Sequence, residues 1–233
     1  MERNKLLPFS FLGKTGKVIS LVGAGGKTTW LYRMASFYSA RGVRVFVTTT
    51  TYMMEPEEKY RAHNIEEAER IWAEGRYVVA GKSAQGGKIT KLNQGELEEY
   101  EKRSQVVLIE ADGAKRMPCK VPADHEPVIL PECDVVVGVM GMDSLGKPLE
   151  EVCFRVGYAE KLLKKRRDEI LTVEDLGKIL VSEQGTRKDI KGREYCVILN
   201  KCNDRKRREA AEKIAEYLKK EGFAHYDDGA LVI

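Results

Sequence analysis

A chain of 233 residues with 42% hydrophobic and 33% charged side chains has the makeup of a soluble globular protein with ample material for a buried core. Forty basic against thirty-six acidic residues leave a net +4, too weak a bias to indicate a nucleic-acid partner. Five cysteines, at 119, 133, 153, 196 and 202, are odd in number and form no C-x-x-C pair, so they suggest neither a disulfide framework nor a zinc site and read as reduced thiols. No apolar run reaches the roughly 18 residues that span a bilayer, and Met1 to Phe11 lacks a signal-peptide core. A cytoplasmic protein with no membrane partner is expected.

Residues 1 to 16 carry Pro8 and little periodicity and read as a leading segment. Val18 to Val22 is an apolar run of strand length, the kind found where helices cover both faces of a sheet. It runs into Gly23, Ala24, Gly25, Gly26, Lys27, Thr28 and Thr29, which read as a phosphate-binding loop opening a helix. Glycines let backbone N–H groups turn inward, and those donors join the positive end of the helix in holding phosphate oxygens. Lys27 is placed to reach the β- and γ-phosphates and the Thr28 hydroxyl to bind Mg²⁺. The full pattern has a glycine five residues before Gly26, where Leu21 stands, so the loop is a shortened variant. The alternative is an ordinary strand-to-helix turn with an exposed lysine.

Leu31, Met34, Ala35 and Tyr38 recur at helical spacing before Gly42, and Val43 to Val47 then closes a βαβ unit. Threonines 48 to 51 follow at a strand end, where an open α/β sheet binds its ligands. Thr50 is therefore a candidate metal ligand, although threonine also simply favours strands. Asn64 with Glu67 starts a helix with Ile65, Ala68, Ile71 and Trp72 on one face, and Tyr77 to Ala80 is a short strand. Gly81 to Lys88 holds a second Gly-Lys-Ser but no helix follows it, so a mobile surface loop is expected. Asn93 with Glu96 opens another helix, to about Arg103.

Val106 to Ile109 is a buried-strand pattern ending in Glu110-Ala-Asp112-Gly. Carboxylates at such a position serve as a second handle on Mg²⁺, one binding metal and the other orienting water, in either assignment. Four of the seven prolines fall between Ala114 and Pro131. That density excludes regular helix or sheet and makes a stiff, charge-bearing loop. Lys115, Arg116 and Lys120 there are candidates for an anionic substrate or the γ-phosphate, with His125 and Glu126 beside them; His125 reads equally well as structural. Val135 to Met140 is a further strand. The stretch 144–194 reads as a helical insertion, whose basic residues from Arg155 to Arg167 form a solvated face or, alternatively, a docking surface. Within it Thr172 and Asp175 form a capping box, and 183–194 is a charged loop.

Tyr195 to Leu199 is the last core strand and feeds Asn200-Lys201-Cys202-Asn203-Asp204. N-K-x-D at this place reads guanine in GTP-binding proteins, but an amide at 203 cannot accept both base protons as a carboxylate does. Asp204 is one residue late and suits a helix cap for the stripe Ala210, Ala211, Ile214, Ala215 and Leu218. The C-terminal A-L-V-I suits an edge strand.

Taken together, V-G-A-G-G-K-T-T, V-T-T-T-T, E-A-D-G-A-K-R, D-H-E-P and L-N-K, from about Lys17 to about Asn203, resemble the selenium-dependent hydroxylase accessory protein family (YqeC-like). The resemblance implies a phosphate-loop NTPase fold and a supporting role in maturing selenium-dependent molybdenum hydroxylases. The expectation is therefore a three-layer α/β domain over 1–233, with a mostly parallel sheet and helices on both faces. It would bind GTP or ATP with Mg²⁺ and hydrolyse it, with Lys27, Glu110 and Asp112 catalytic. Two alternatives stand beside it. One is a kinase acting on a small cofactor precursor held by the proline-rich loop. The other is a nucleotide-gated chaperone for an apo-hydroxylase, docking through the basic 155 to 167 surface.

Overall fold

The computed structural model describes residues 17–222 and 230–232. The expected leading segment and the last residue of the A-L-V-I stretch lie outside them. The framework is a seven-stranded, all-parallel sheet with strand order β12-β11-β9-β1-β7-β2-β4. Its strands are β1 (Lys17–Gly23), β2 (Val45–Thr49), β4 (Val78–Val79), β7 (Val106–Glu110), β9 (Val135–Gly141), β11 (Glu194–Asn200) and β12 (Ala230–Val232). Helices α1 (Lys27–Ser39), α2 (Ile65–Ala73), α3 (Gln94–Arg103) and α7 (Arg205–Lys220) fill the crossovers. The expected mostly parallel sheet with helices on both faces is what the chain forms.

Period-two alternation explains how each strand serves two cores. Val45, Val47, Val106 and Leu108 point to the side of α1, where they meet Trp30, Leu31, Met34 and Tyr38. Phe46, Val107 and Ile109 point the other way, to Trp72 of α2 and Tyr100 of α3. Burying both faces is why these strands read as near-continuous apolar runs. Between β9 and β11 lie α4 (Leu149–Val152), α5 (Val156–Leu163) and α6 (Val173–Val181). Leu176, Ile179 and Leu180 of α6 share a core with Ala211, Ile214 and Leu218 of α7. The expected caps are present: the Asn64 side chain accepts from Glu67 N–H, and Asn93 and Thr172 each complete a capping box.

Two expectations are corrected. The stretch 81–88 is no irregular loop: β5 (Lys82–Ala84) and β6 (Lys88–Thr90) form a hairpin, with Gly86 and Gly87 at φ +74 and +64 making the turn. With β3 (Tyr52–Met54) it makes a separate three-stranded antiparallel sheet, β3-β6-β5. The proline-rich stretch, expected to exclude sheet, contains β8 (Cys119–Lys120), which pairs with β10 (Cys153–Phe154) in the proline-free residues between Pro118 and Pro122.

Candidate functional site

The glycine loop joins β1 to α1 at the carboxyl edge of the sheet, between β9 and β7. Close neighbours dictate its composition. A Cβ on Gly25 would stand 2.2 Å from Gly141 N and 2.8 Å from Pro118 O, and one on Gly26 would stand 2.3 Å from Asn200 Nδ2; both residues hold positive φ. The shortened loop also spends its early donors inside the protein. Gly23 N–H donates to Asp112 Oδ2, Ala24 N–H to Val139 O and Gly25 N–H to Met117 O. Amides left for an anion are those of the first turn of α1, which no helix can pair internally. Gly26 is its N-cap and offers no side chain to cap them.

Beneath that turn lies a buried charge cluster. Lys27 Nζ donates to Gly23 O at 2.7 Å and sits 3.0 Å from Asp112 and 3.9 Å from Glu110. Thr28 Oγ1 donates to Glu110 Oε2 at 2.6 Å. Asp112 also meets Lys120 Nζ at 3.1 Å, and Lys120 reaches Glu126 at 3.1 Å and Gly113 O at 2.6 Å. Burial pulls the Lys27 ammonium down, yet Asp112 and Glu110 outweigh it and hold its pKa above the ordinary lysine value. Burial lifts Glu110 above the ordinary glutamate value against the pull of Lys27 and of the Thr28 hydroxyl. Glu126 goes the other way: burial raises it, but Lys120, the Ala123 N–H and Arg155 together leave it lowered.

A cleft of about 950 Å³ opens over this floor. Gly25, Gly26, Lys27, Thr28, Thr29 and Glu110 line one part, and Lys115, Arg116, His125 and Glu126 of the proline-rich segment line another. Thr50 lines it too, with its hydroxyl donating to Val128 O at 2.8 Å. Seven lining cations, at 27, 88, 91, 115, 116, 155 and 201, face two carboxylates, Glu110 and Glu126. The near-neutral chain thus concentrates positive charge in one concavity, as a polyanionic ligand requires.

Other residues expected at the site are placed differently. Asp112 is buried behind the lysines and absent from the cleft lining, so it positions Lys27 and the loop and is not a ligand facing the cleft. Lys120 is likewise buried, an internal counter-ion to Asp112 and Glu126 and not a group offered to substrate. Asn200 reaches the loop, not a base: its Nδ2 donates to Gly25 O at 2.7 Å. Lys201 lines the cleft with φ +65 and pairs with Asp143 at 2.8 Å. Asn203 is exposed outside the lining, and Asp204 caps α7 by accepting from Arg207 N–H at 2.9 Å. Gly23 and Ala24 support the loop from beneath.

Arg155 and the wall of β3 and β6 were not anticipated as site residues. Arg155, at φ +68, directly follows β10, stacks over Phe154 and pairs with Glu126 at 3.4 Å. No local pattern announces it. The wall had a faint signal in the alternation of Lys88-Ile89-Thr90, where Ile89 is buried and its neighbours face outward.

The family model described as YqeC protein matches residues 19–157, which include the glycine loop, Glu110, Asp112, the proline-rich segment and Arg155. A curated relative, "Uncharacterized protein YqeC" of Escherichia coli (strain K12), is 32% identical over 185 residues, covering 76% of this chain and 72% of the relative.

Proposed function

The chain belongs to the YqeC family, and we propose that it is a Mg²⁺-dependent nucleotide-binding protein that hydrolyses GTP or ATP in support of the maturation of selenium-dependent molybdenum hydroxylases. The accessory role rests on the sequence resemblance; the chemistry rests on one observation. That observation is the convergence of the first-turn amides of α1, which the helix itself cannot pair, the Lys27 ammonium and the Thr28–Glu110 oxygen pair at the floor of a cationic cleft.

A hydroxyl and a carboxylate are hard oxygen donors suited to Mg²⁺, which takes its remaining ligands from phosphate and water. When bound, the ion would neutralise charge on the β- and γ-phosphate oxygens. This chain's own residues supply the rest. Amides of the first turn and Lys27 bind the phosphates, and Asp112 fixes the place of Lys27 by holding both its ammonium and the Gly23 amide. Glu110 Oε2 accepts from Thr28, which leaves Oε1 to orient a water. Lys115, Arg116 and Arg155 balance charge at the open side of the cleft. Base recognition falls to groups near Lys201, not to Asn203 or Asp204.

Calorimetric titration with ATP, GTP and XTP, with and without Mg²⁺, tests this reading. At least one nucleotide should bind and turn over, and Lys27→Ala should weaken it about 10- to 150-fold, the loss of charged hydrogen bonds worth about 1.5–3 kcal/mol. Absence of affinity for every triphosphate overturns the proposal.

A further inference from the structure

The cleft extends from the tip of α1 to the small sheet of β3 and β6, and its far side has a different character. Among the described residues four large apolar side chains are exposed, and three of them, Tyr52, Met54 and Val128, line this single cleft. Tyr52 is 59% exposed. It stands on β3 opposite Thr90 of β6, and Met54 stands opposite Lys88, so one face of this small sheet offers a ring and a thioether beside an ammonium. Lys91 follows directly on the same lining. An apolar patch left open within a cationic concavity marks a ligand surface.

Sheet order gives that surface its place. Lys201 follows β11 and Tyr52 follows β2, and each of those strands lies two positions from β1, on opposite sides. At a strand spacing of about 4.8 Å, the two ends stand about 19 Å apart with the helix tip midway. A nucleotide held by its phosphates at that tip and turned toward Lys201 leaves the Tyr52 side open.

We propose that the β3–β6 wall is a second subsite, for a small flat heteroaromatic molecule carrying a phosphate. Its ring stacks on Tyr52 against Met54, and its phosphate meets Lys88 and Lys91, next to the nucleotide's phosphates. The inference deepens the nucleotide reading and rests on it only for the neighbouring site.

Flavin mononucleotide is a suitable probe, since stacking on tyrosine quenches its fluorescence. With the full chain saturated in Mg²⁺ and a non-hydrolysable ATP or GTP analogue, quenching should give a Kd below about 1 mM. Tyr52→Ala should weaken it about tenfold, within the range of base–aromatic stacking. The Lys88→Ala, Lys91→Ala double variant should weaken flavin mononucleotide and leave riboflavin, which lacks the phosphate, unchanged. Absence of quenching, indifference to both variants, or one-for-one displacement by the nucleotide analogue overturns the subsite; displacement would mean the wall holds the nucleotide's own base. Should the chain bind no triphosphate yet bind flavin mononucleotide through Tyr52 and the two lysines, the subsite stands and the nucleotide reading falls.

Discussion

On the floor of the cleft, Lys27, Glu110, Asp112 and Lys120 carry four charges on side chains no more than 8% exposed, under a loop with no room for a Cβ at Gly25 or Gly26. On the wall, Tyr52 and Met54 stand 59% and 44% exposed, and Lys88 and Lys91 reach solvent. Buried ions and backbone contacts fix each other in one arrangement, so the floor is preorganised at the cost of tolerating little change. Exposed side chains on a small three-stranded sheet contribute little to folding and are free to be chosen for what they bind.

That difference can be broken by mutation, and the largest effect should come from Lys120. Lys120→Met leaves Asp112 and Glu126 buried without their shared ammonium, and chemical denaturation should show a loss of about 3–5 kcal/mol. A loss under about 1 kcal/mol would mean the cluster is solvated and the floor is not rigid. Next, Gly25→Ala should cost about 3 kcal/mol, because a methyl group 2.2 Å from Gly141 N must displace backbone at a φ of +84.

A subtler comparison uses pH. The folded-state pKa of Glu110 is raised above 4.5, so its contribution favours folding below that value and is lost as pH rises through the raised pKa. Glu110→Gln should therefore gain on the parent as pH increases from below 4.5 toward neutrality, read by urea denaturation across that window. Glu126 has the opposite sign, contributing above 4.5 and losing its contribution as pH falls through its lowered pKa, so Glu126→Gln should lose on the parent as pH rises from that lowered pKa to 4.5. The smallest effect belongs to the wall: Tyr52→Ala should change stability by no more than about 0.5 kcal/mol. A loss above 2 kcal/mol would make Tyr52 a structural residue.

The floor was the more legible region, and the reason is local. Val18 to Val22 and Val106 to Ile109 announce themselves because both faces of each strand are covered, and the glycines, Lys27, Thr28 and Glu110 follow at fixed offsets from those strands. Capping residues such as Asn93 and Thr172 were equally plain, since cap and partner lie three residues apart. Fates of Lys120 and Asp112 were not legible, because their pairing depends on how a proline-rich segment returns across the sheet. The amide of Asn200 looked like part of a base-reading motif, whereas its partner is a carbonyl 175 residues away in sequence. The three-residue strands β3 and β5 carry too little periodicity to be read.

The Thr28–Glu110 pair at the tip of α1 is the proposed hold on Mg²⁺. Calorimetry of the preferred triphosphate should show Mg²⁺ raising affinity at least about tenfold in the parent chain, an increment of about 1.4 kcal/mol. In Glu110→Gln, folded as judged by its unfolding transition, that increment should vanish while metal-free binding persists. An equal Mg²⁺ increment in parent and variant, or none in the parent, would contradict it.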